Sequence, residues 1–147
     1  MKVKIKKLHK DTVIPKYAKS GDAGMDLVAV EVFYDEYGNI CYDTKLSMEI
    51  PEGYVGLIFP RSSISKYMTF LTNATGVIDS GYRGSILFKF KPTEAYHSRS
   101  TNHDVVYKVG DKIGQIIILP FPKIEFEESQ VLSETERNDS GFGSTGN

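Results

Sequence analysis

Five short stretches of this chain carry side chains suited to a phosphorylated, base-bearing ligand. In Asn73-Ala74-Thr75-Gly76-Val77-Ile78-Asp79-Ser80-Gly81-Tyr82-Arg83-Gly84 an apolar run leads to one carboxylate, Asp79, and a turn then presents Tyr82 and Arg83 between two glycines. A carboxylate at the end of a buried strand can serve as general base for a water. An Asp before Ser-Gly is equally a hairpin former. Pro60-Arg61-Ser62-Ser63-Ile64-Ser65 follows an apolar strand and offers a guanidinium with hydroxyls and backbone N–H groups for an anion, or an ordinary helix cap. The tail Gly141-Phe142-Gly143-Ser144-Thr145-Gly146 follows Arg137. Its glycines let N–H groups turn toward one point, Ser144 and Thr145 add hydroxyls, and Arg137 can grip phosphate through two N–H bonds. Phe142 is an isolated aromatic suited to stacking on a base. The alternative is a plain flexible tail.

Two further polar residues lie inside apolar strands. Asp26 opens the run Met25–Val32, where a carboxylate is costly unless a cation is near. Gln115 is the lone amide of Ile113–Leu119 and requires partners if buried. His9, His97 and His103 show no metal-ligand spacing with one another or with Cys41, which argues against zinc.

The elements that must position these groups read as strands. Val3–Leu8, Met25–Val32, Leu46–Ile50, Tyr54–Phe59, Thr75–Ile78, Ser85–Phe90, Val105–Tyr107, Ile113–Leu119 and Ile124–Phe126 are short runs rich in Val, Ile, Phe and Tyr. Turn signals at Tyr37-Gly38-Asn39, Pro51-Glu52-Gly53, Asp79-Ser80-Gly81 and Gly110-Asp111 separate them. Many short strands predict an all-β barrel or sandwich. Only Ser62–Phe70 suits a short helix, with Ser62 or Ser63 as its N-cap. Asp35–Asn39 reads as a hairpin tip, and Thr93–His103 as a polar insertion between strands. After Ser129 the chain has few apolar residues, so residues 1–128 form the expected domain and 129–147 a flexible tail.

The bulk numbers fit one soluble domain. The chain has 147 residues, 40% of them hydrophobic, with 18 Lys+Arg against 19 Asp+Glu. Near-zero net charge gives no electrostatic reason to expect direct nucleic-acid or membrane-surface binding. One cysteine excludes an intrachain disulfide and fits a reducing compartment, no apolar run has the length of a membrane span, and no secretory signal follows the basic N-terminus. The expected location is cytoplasmic.

Taken in order, AGMDLVA, PRSS, GVIDSGYRG, GDKIGQ and RNDSGFGSTG resemble the five motifs of the trimeric dUTP diphosphatases and run from Ala23 to Gly146. The resemblance implies a jelly-roll-type β-barrel of the β-clip kind, a threefold homotrimer, and sites at the subunit interfaces. It implies hydrolysis of dUTP to dUMP and pyrophosphate with Mg²⁺, supporting dTTP synthesis and keeping uracil out of DNA. Asp79 would activate the attacking water. Tyr82 would lie under the deoxyribose and clash with a 2′-hydroxyl, while Asn73 and the backbone of Gly76, Val77 and Ile78 would read uracil. Arg61, Ser62 and Ser63 would hold the α- and β-phosphates from a neighbouring subunit, Gln115 would also approach that phosphate region, and Asp26 would approach the metal through water. Arg137, Phe142, Gly143, Ser144 and Thr145 would form the closing tail. Asn138 and Ser140 stand where the family commonly has glycine, Lys112 where it has Arg, and Gly114 where it has Ala. Two rival readings are a dCTP deaminase of the same fold, for which no proton-shuttling glutamate is evident, and a dUTP-binding regulatory protein.

Overall fold

A computed structural model describes residues 1–67, 69–93 and 106–139. Ten strands follow in order: β1 (Lys4–Lys7), β2 (Met25–Val28), β3 (Glu31–Tyr34), β4 (Ile40–Asp43), β5 (Leu46–Glu49), β6 (Tyr54–Pro60), β7 (Thr69–Leu71), β8 (Gly76–Ile78), β9 (Leu87–Pro92) and β10 (Lys112–Pro120). A single 3₁₀ turn, Ser62–Lys66, is the helical element among the described residues. Two four-stranded antiparallel sheets, ordered β2-β10-β6-β8 and β3-β4-β9-β7, are accompanied by the pair β1-β5. The chain is all-β and has the jelly-roll architecture. No helix among the described residues is long and apolar enough to cross a membrane.

The two sheets share one core. Leu27, Ile58, Ile78, Ile113 and Ile116 come from the first sheet; Ile40, Tyr42, Leu71, Phe88 and Phe90 come from the second. Alternation produces this. On β9, Phe88 and Phe90 are buried while Leu87, Lys89 and Lys91 are half-buried, the period-two pattern of a strand with one face on a core. The run Asp35–Asn39 does form the β3–β4 hairpin tip. Asp35 accepts hydrogen bonds from the backbone N–H groups of Tyr37 (3.1 Å) and Asn39 (2.9 Å), and pairs with Lys89 Nζ at 3.0 Å. Cys41, next to this hairpin on β4, is wholly buried.

Several sequence expectations are corrected. The run Met25–Val32 is two strands, because at Ala29 and Val30 the chain leaves one sheet for the other. Ala29 N–H donates to the Asp111 carbonyl (3.0 Å) and Val30 N–H to the Asp43 carbonyl (2.8 Å). The expected helix Ser62–Phe70 ends at Lys66 and gives way to β7; its N-cap is Arg61, with no side-chain capping bond, rather than Ser62 or Ser63. Val106 and Tyr107 form a bend, not a strand, and Ile124–Phe126 pairs with nothing among the described residues. Beyond Thr93, the insertion to His103 lies outside the described residues.

Gly114 has a structural reason to lack a side chain. A Cβ there would stand 2.1 Å from Cε1 of Phe88 and 2.8 Å from the Phe59 carbonyl oxygen. Gly114→Ala should therefore lower unfolding stability by about 1–3 kcal/mol, as overpacking does. Adding Phe88→Leu should make the combined loss smaller than the sum of the two single losses in denaturant titrations; strict additivity would show that the two positions do not compete for space.

Candidate active site

Two groups of polar residues stand on the β2-β10-β6-β8 sheet. The first is gathered by strand register. β10 pairs with both β2 and β6, and Gln115 lies opposite Asp26 on one side and Phe59 on the other. β6 ends at Pro60, so Arg61 emerges beside them. Arg61 Nε donates to Asp26 Oδ1 at 3.0 Å, Gln115 Nε2 approaches the same oxygen at 3.4 Å, and Lys112 Nζ lies 2.9 Å from Asp26 Oδ2. Burial pushes the Asp26 carboxyl up, but the hydrogen bonds from Lys112 and Gln115 and the charges of Arg61 and Lys112 more than offset it, so the group is held below its ordinary value. A partly buried carboxylate inside an apolar strand is thus paired, as its desolvation requires. Among the described residues the Nη groups of Arg61 have no hydrogen-bond partner, which leaves that end of the fork for an anion. Ser62 is exposed, and Ser63 is half-buried with Oγ 3.3 Å from the Tyr107 hydroxyl.

The second group is the hairpin after β8. Asp79 directly follows β8 and is exposed. Tyr82 N–H donates to the Asp79 carbonyl at 3.0 Å, closing a four-residue turn. Arg83 Nη1 donates to the carbonyls of Ser80 (2.6 Å) and Tyr82 (2.9 Å), and Ser47 Oγ donates to the Arg83 carbonyl at 2.8 Å. The Tyr82 ring lies across Gly84, where a Cβ would be 2.3 Å from its hydroxyl oxygen, and that hydroxyl donates to the Ser85 carbonyl at 3.0 Å. Tyr82 is tied down by its hydroxyl yet stays 44% exposed, open to a ligand. β8 is the last strand of its sheet, so one edge of Gly76, Val77 and Ile78 has no strand partner among the described residues. Such an edge offers backbone donors and acceptors to a planar ligand. Asn73 sits beside it, its Nδ2 3.3 Å from where a Cβ on Gly76 would stand.

Within one chain these groups stay apart. Asp79 follows the strand at one edge of the sheet and Asp26 lies on the strand at the other. Three strand spacings and about four residues of offset put roughly 20 Å between them. Arg137 is exposed, and Phe142, Gly143, Ser144 and Thr145 lie outside the described residues. Sequence reasoning missed Lys112 as a partner of Asp26 and Tyr107 as a partner of Ser63. Both contacts depend on β10 and the bend before it reaching strands far away in sequence, which no local pattern announces.

The fold and site define a jelly-roll β protein with a cationic cluster at one edge of a sheet and a carboxylate-bearing hairpin at the other. Within it, the dUTPase family model matches residues 10–146. The chain is 38% identical over 150 residues to a deoxyuridine 5′-triphosphate nucleotidohydrolase of Hydrogenobaculum, covering 99% of both chains. It is 39% identical over 151 residues to the enzyme of that name from Finegoldia magna, again covering 99% of each. Among solved structures, the dUTPase of Staphylococcus bacteriophage 80alpha with dUPNHPP superposes with a TM-score of 0.79 at 27% identity, covering 99% of this chain and 98% of that one. The chain belongs to the dUTPase family.

Proposed function

We propose that this protein hydrolyses dUTP to dUMP and pyrophosphate at a site shared between subunits of a homotrimer. The observation that carries this reading is the pinned hairpin: Asp79, Tyr82, Asn73 and the free edge of β8 held together by backbone and Arg83 hydrogen bonds. The exposed Asp79 carboxylate takes a proton from a water. That water forms the new bond to the α-phosphorus in line while the bond to the bridging oxygen breaks, and pyrophosphate leaves. The β8 edge and Asn73 recognise uracil, and Tyr82 carries the deoxyribose. Arg61, Ser62, Ser63 and Gln115 neutralise and hold the phosphates. Residues 129–147 act as a closing segment, with Arg137, Phe142, Gly143, Ser144 and Thr145 completing the enclosure.

The residues fit magnesium in a particular way. Among the described residues no three His, Cys, Asp or Glu side chains converge, so these residues build no cage. Mg²⁺ keeps several waters and prefers phosphate oxygens; the remaining lone pairs of Asp26 suit one of those waters. The ion would neutralise charge on the triphosphate.

Two observations support a multi-chain site. The half-sites of one chain are far apart. In addition, Phe126, Val131 and Leu132, which follow β10, are 92%, 79% and 83% exposed, apolar surface that a neighbouring subunit would cover. The location is proposed as cytoplasmic.

Pyrophosphate and ammonia release should be measured with dUTP, dTTP, dCTP and UTP, with and without Mg²⁺. The expected result is pyrophosphate from dUTP with magnesium, little from the other three, and no ammonia. Ammonia from dCTP would install the deaminase reading instead, and inertness toward dUTP would end this one.

A further inference from the structure

We infer that Tyr107 is a positioning residue for the phosphate-binding turn, acting through its hydroxyl on Ser63. This rests on the dUTP-hydrolysing reading above. The 3₁₀ turn Ser62–Lys66 contains no buried residue. Its local ties are Ser65 Oγ donating to the Ser62 carbonyl at 2.8 Å, Ile64 N–H donating to the Arg61 carbonyl at 2.9 Å and Tyr67 N–H donating to the Ile64 carbonyl at 2.9 Å. Among the described residues, the one side-chain hydrogen bond that leaves this turn joins Ser63 Oγ to the Tyr107 hydroxyl at 3.3 Å. Ile64 packs against the core, but the Ser63 hydroxyl is oriented from outside the turn by Tyr107.

Tyr107 itself is firmly placed. It is 5% exposed. Its ring meets Tyr42 edge-on at 5.8 Å and Tyr67 at 5.5 Å, and lies 5.9 Å from Phe90. Its N–H donates to the Tyr42 hydroxyl at 2.9 Å. The core thus meets the turn twice, through Ile64, which packs against it, and through the two tyrosines that end at Ser63.

The two hydroxyls can pair in either sense, and one sense serves phosphate binding. A serine hydroxyl has one proton. If Tyr107 donates to Ser63 Oγ, the serine keeps that proton for a phosphate oxygen. Burial pushes the Tyr107 phenol up, so its own proton stays in place to be donated. Arg61 opens the same turn, so movement of Ser63 also disturbs the guanidinium that pairs with Asp26.

The test uses the full chain as wild type, Tyr107→Phe, Ser63→Ala and the double variant. Tyr107→Phe keeps the ring and removes only the hydroxyl. It should lower kcat/KM for dUTP roughly 3- to 10-fold, the effect of one hydrogen bond. It should also speed amide exchange across residues 62–67, measured on the whole protein without substrate. In the Ser63→Ala background the kinetic loss should vanish. A loss of the same size in both backgrounds would mark Tyr107 as a packing residue and overturn the inference. Unchanged exchange and unchanged kinetics would overturn it as well. A wild type inert toward dUTP, with exchange still faster in Tyr107→Phe, would strike the functional reading while upholding the contact.

Discussion

Asp79→Asn is expected to lower kcat for dUTP by at least about 10²-fold, the scale of removing a general base, while dUTP still binds. The substitution changes one atom and one charge. The turn that presents the residue is closed by the Asp79 carbonyl, not its carboxylate, and is braced by Arg83 on the carbonyls of Ser80 and Tyr82. An asparagine should therefore leave the hairpin, the Tyr82 platform and the β8 edge as they are. The contrast to measure is between turnover and the affinity for a non-hydrolysable dUTP analogue. If affinity holds and turnover collapses, Asp79 is the base. If turnover is near normal, the proton goes elsewhere and the proposed mechanism is wrong at its centre.

The largest effect that tests the architecture is a rescue. Asp79→Asn and Arg61→Ala chains, each assembled alone, should be nearly inactive. Arg61→Ala removes the phosphate-facing guanidinium and also deprives Asp26 of a partner only 3.0 Å away. Mixed by co-expression, the two should recover activity. If each site takes Asp79 from one subunit and Arg61 from its neighbour, random assembly makes about a quarter of the sites wild type at both positions. Were both residues contributed by one chain, no mixture could restore a site. The separation of roughly 20 Å between Asp79 and the Asp26 that Arg61 pairs with is what makes rescue the expected result, and a dead mixture of confirmed composition would exclude the shared site.

How much of this was legible in the sequence depended on whether a residue's partner was near in the chain. β6, β8 and β9 stood out because their apolar periods reflect a single buried face. β4 did not, because all four of its residues, including Cys41 and Asp43, are buried, and a strand covered on both sides loses its alternation. Ile124–Phe126 has the alternation but no strand beside it among the described residues, and only a partner turns a pattern into a sheet. The hairpin Asp79–Gly84 was readable because its geometry is made by its own backbone and glycines. The pairing of Asp26 with Lys112 and Arg61 was not, because it depends on the registers of β2 and β6 against β10. The motifs named the polar residues that must be satisfied; the sheet decided by whom.

The burial of Cys41 gives the molecule an internal clock. It is the chain's single thiol, it is 0% exposed, and burial holds its ionisation above the ordinary value. A thiolate is the species that alkylating reagents attack, so the native fold shields this atom both sterically and chemically. With reagent in excess, labelling then proceeds at the rate at which the barrel opens around β4, which makes a single mass shift a meter of kinetic stability under native conditions.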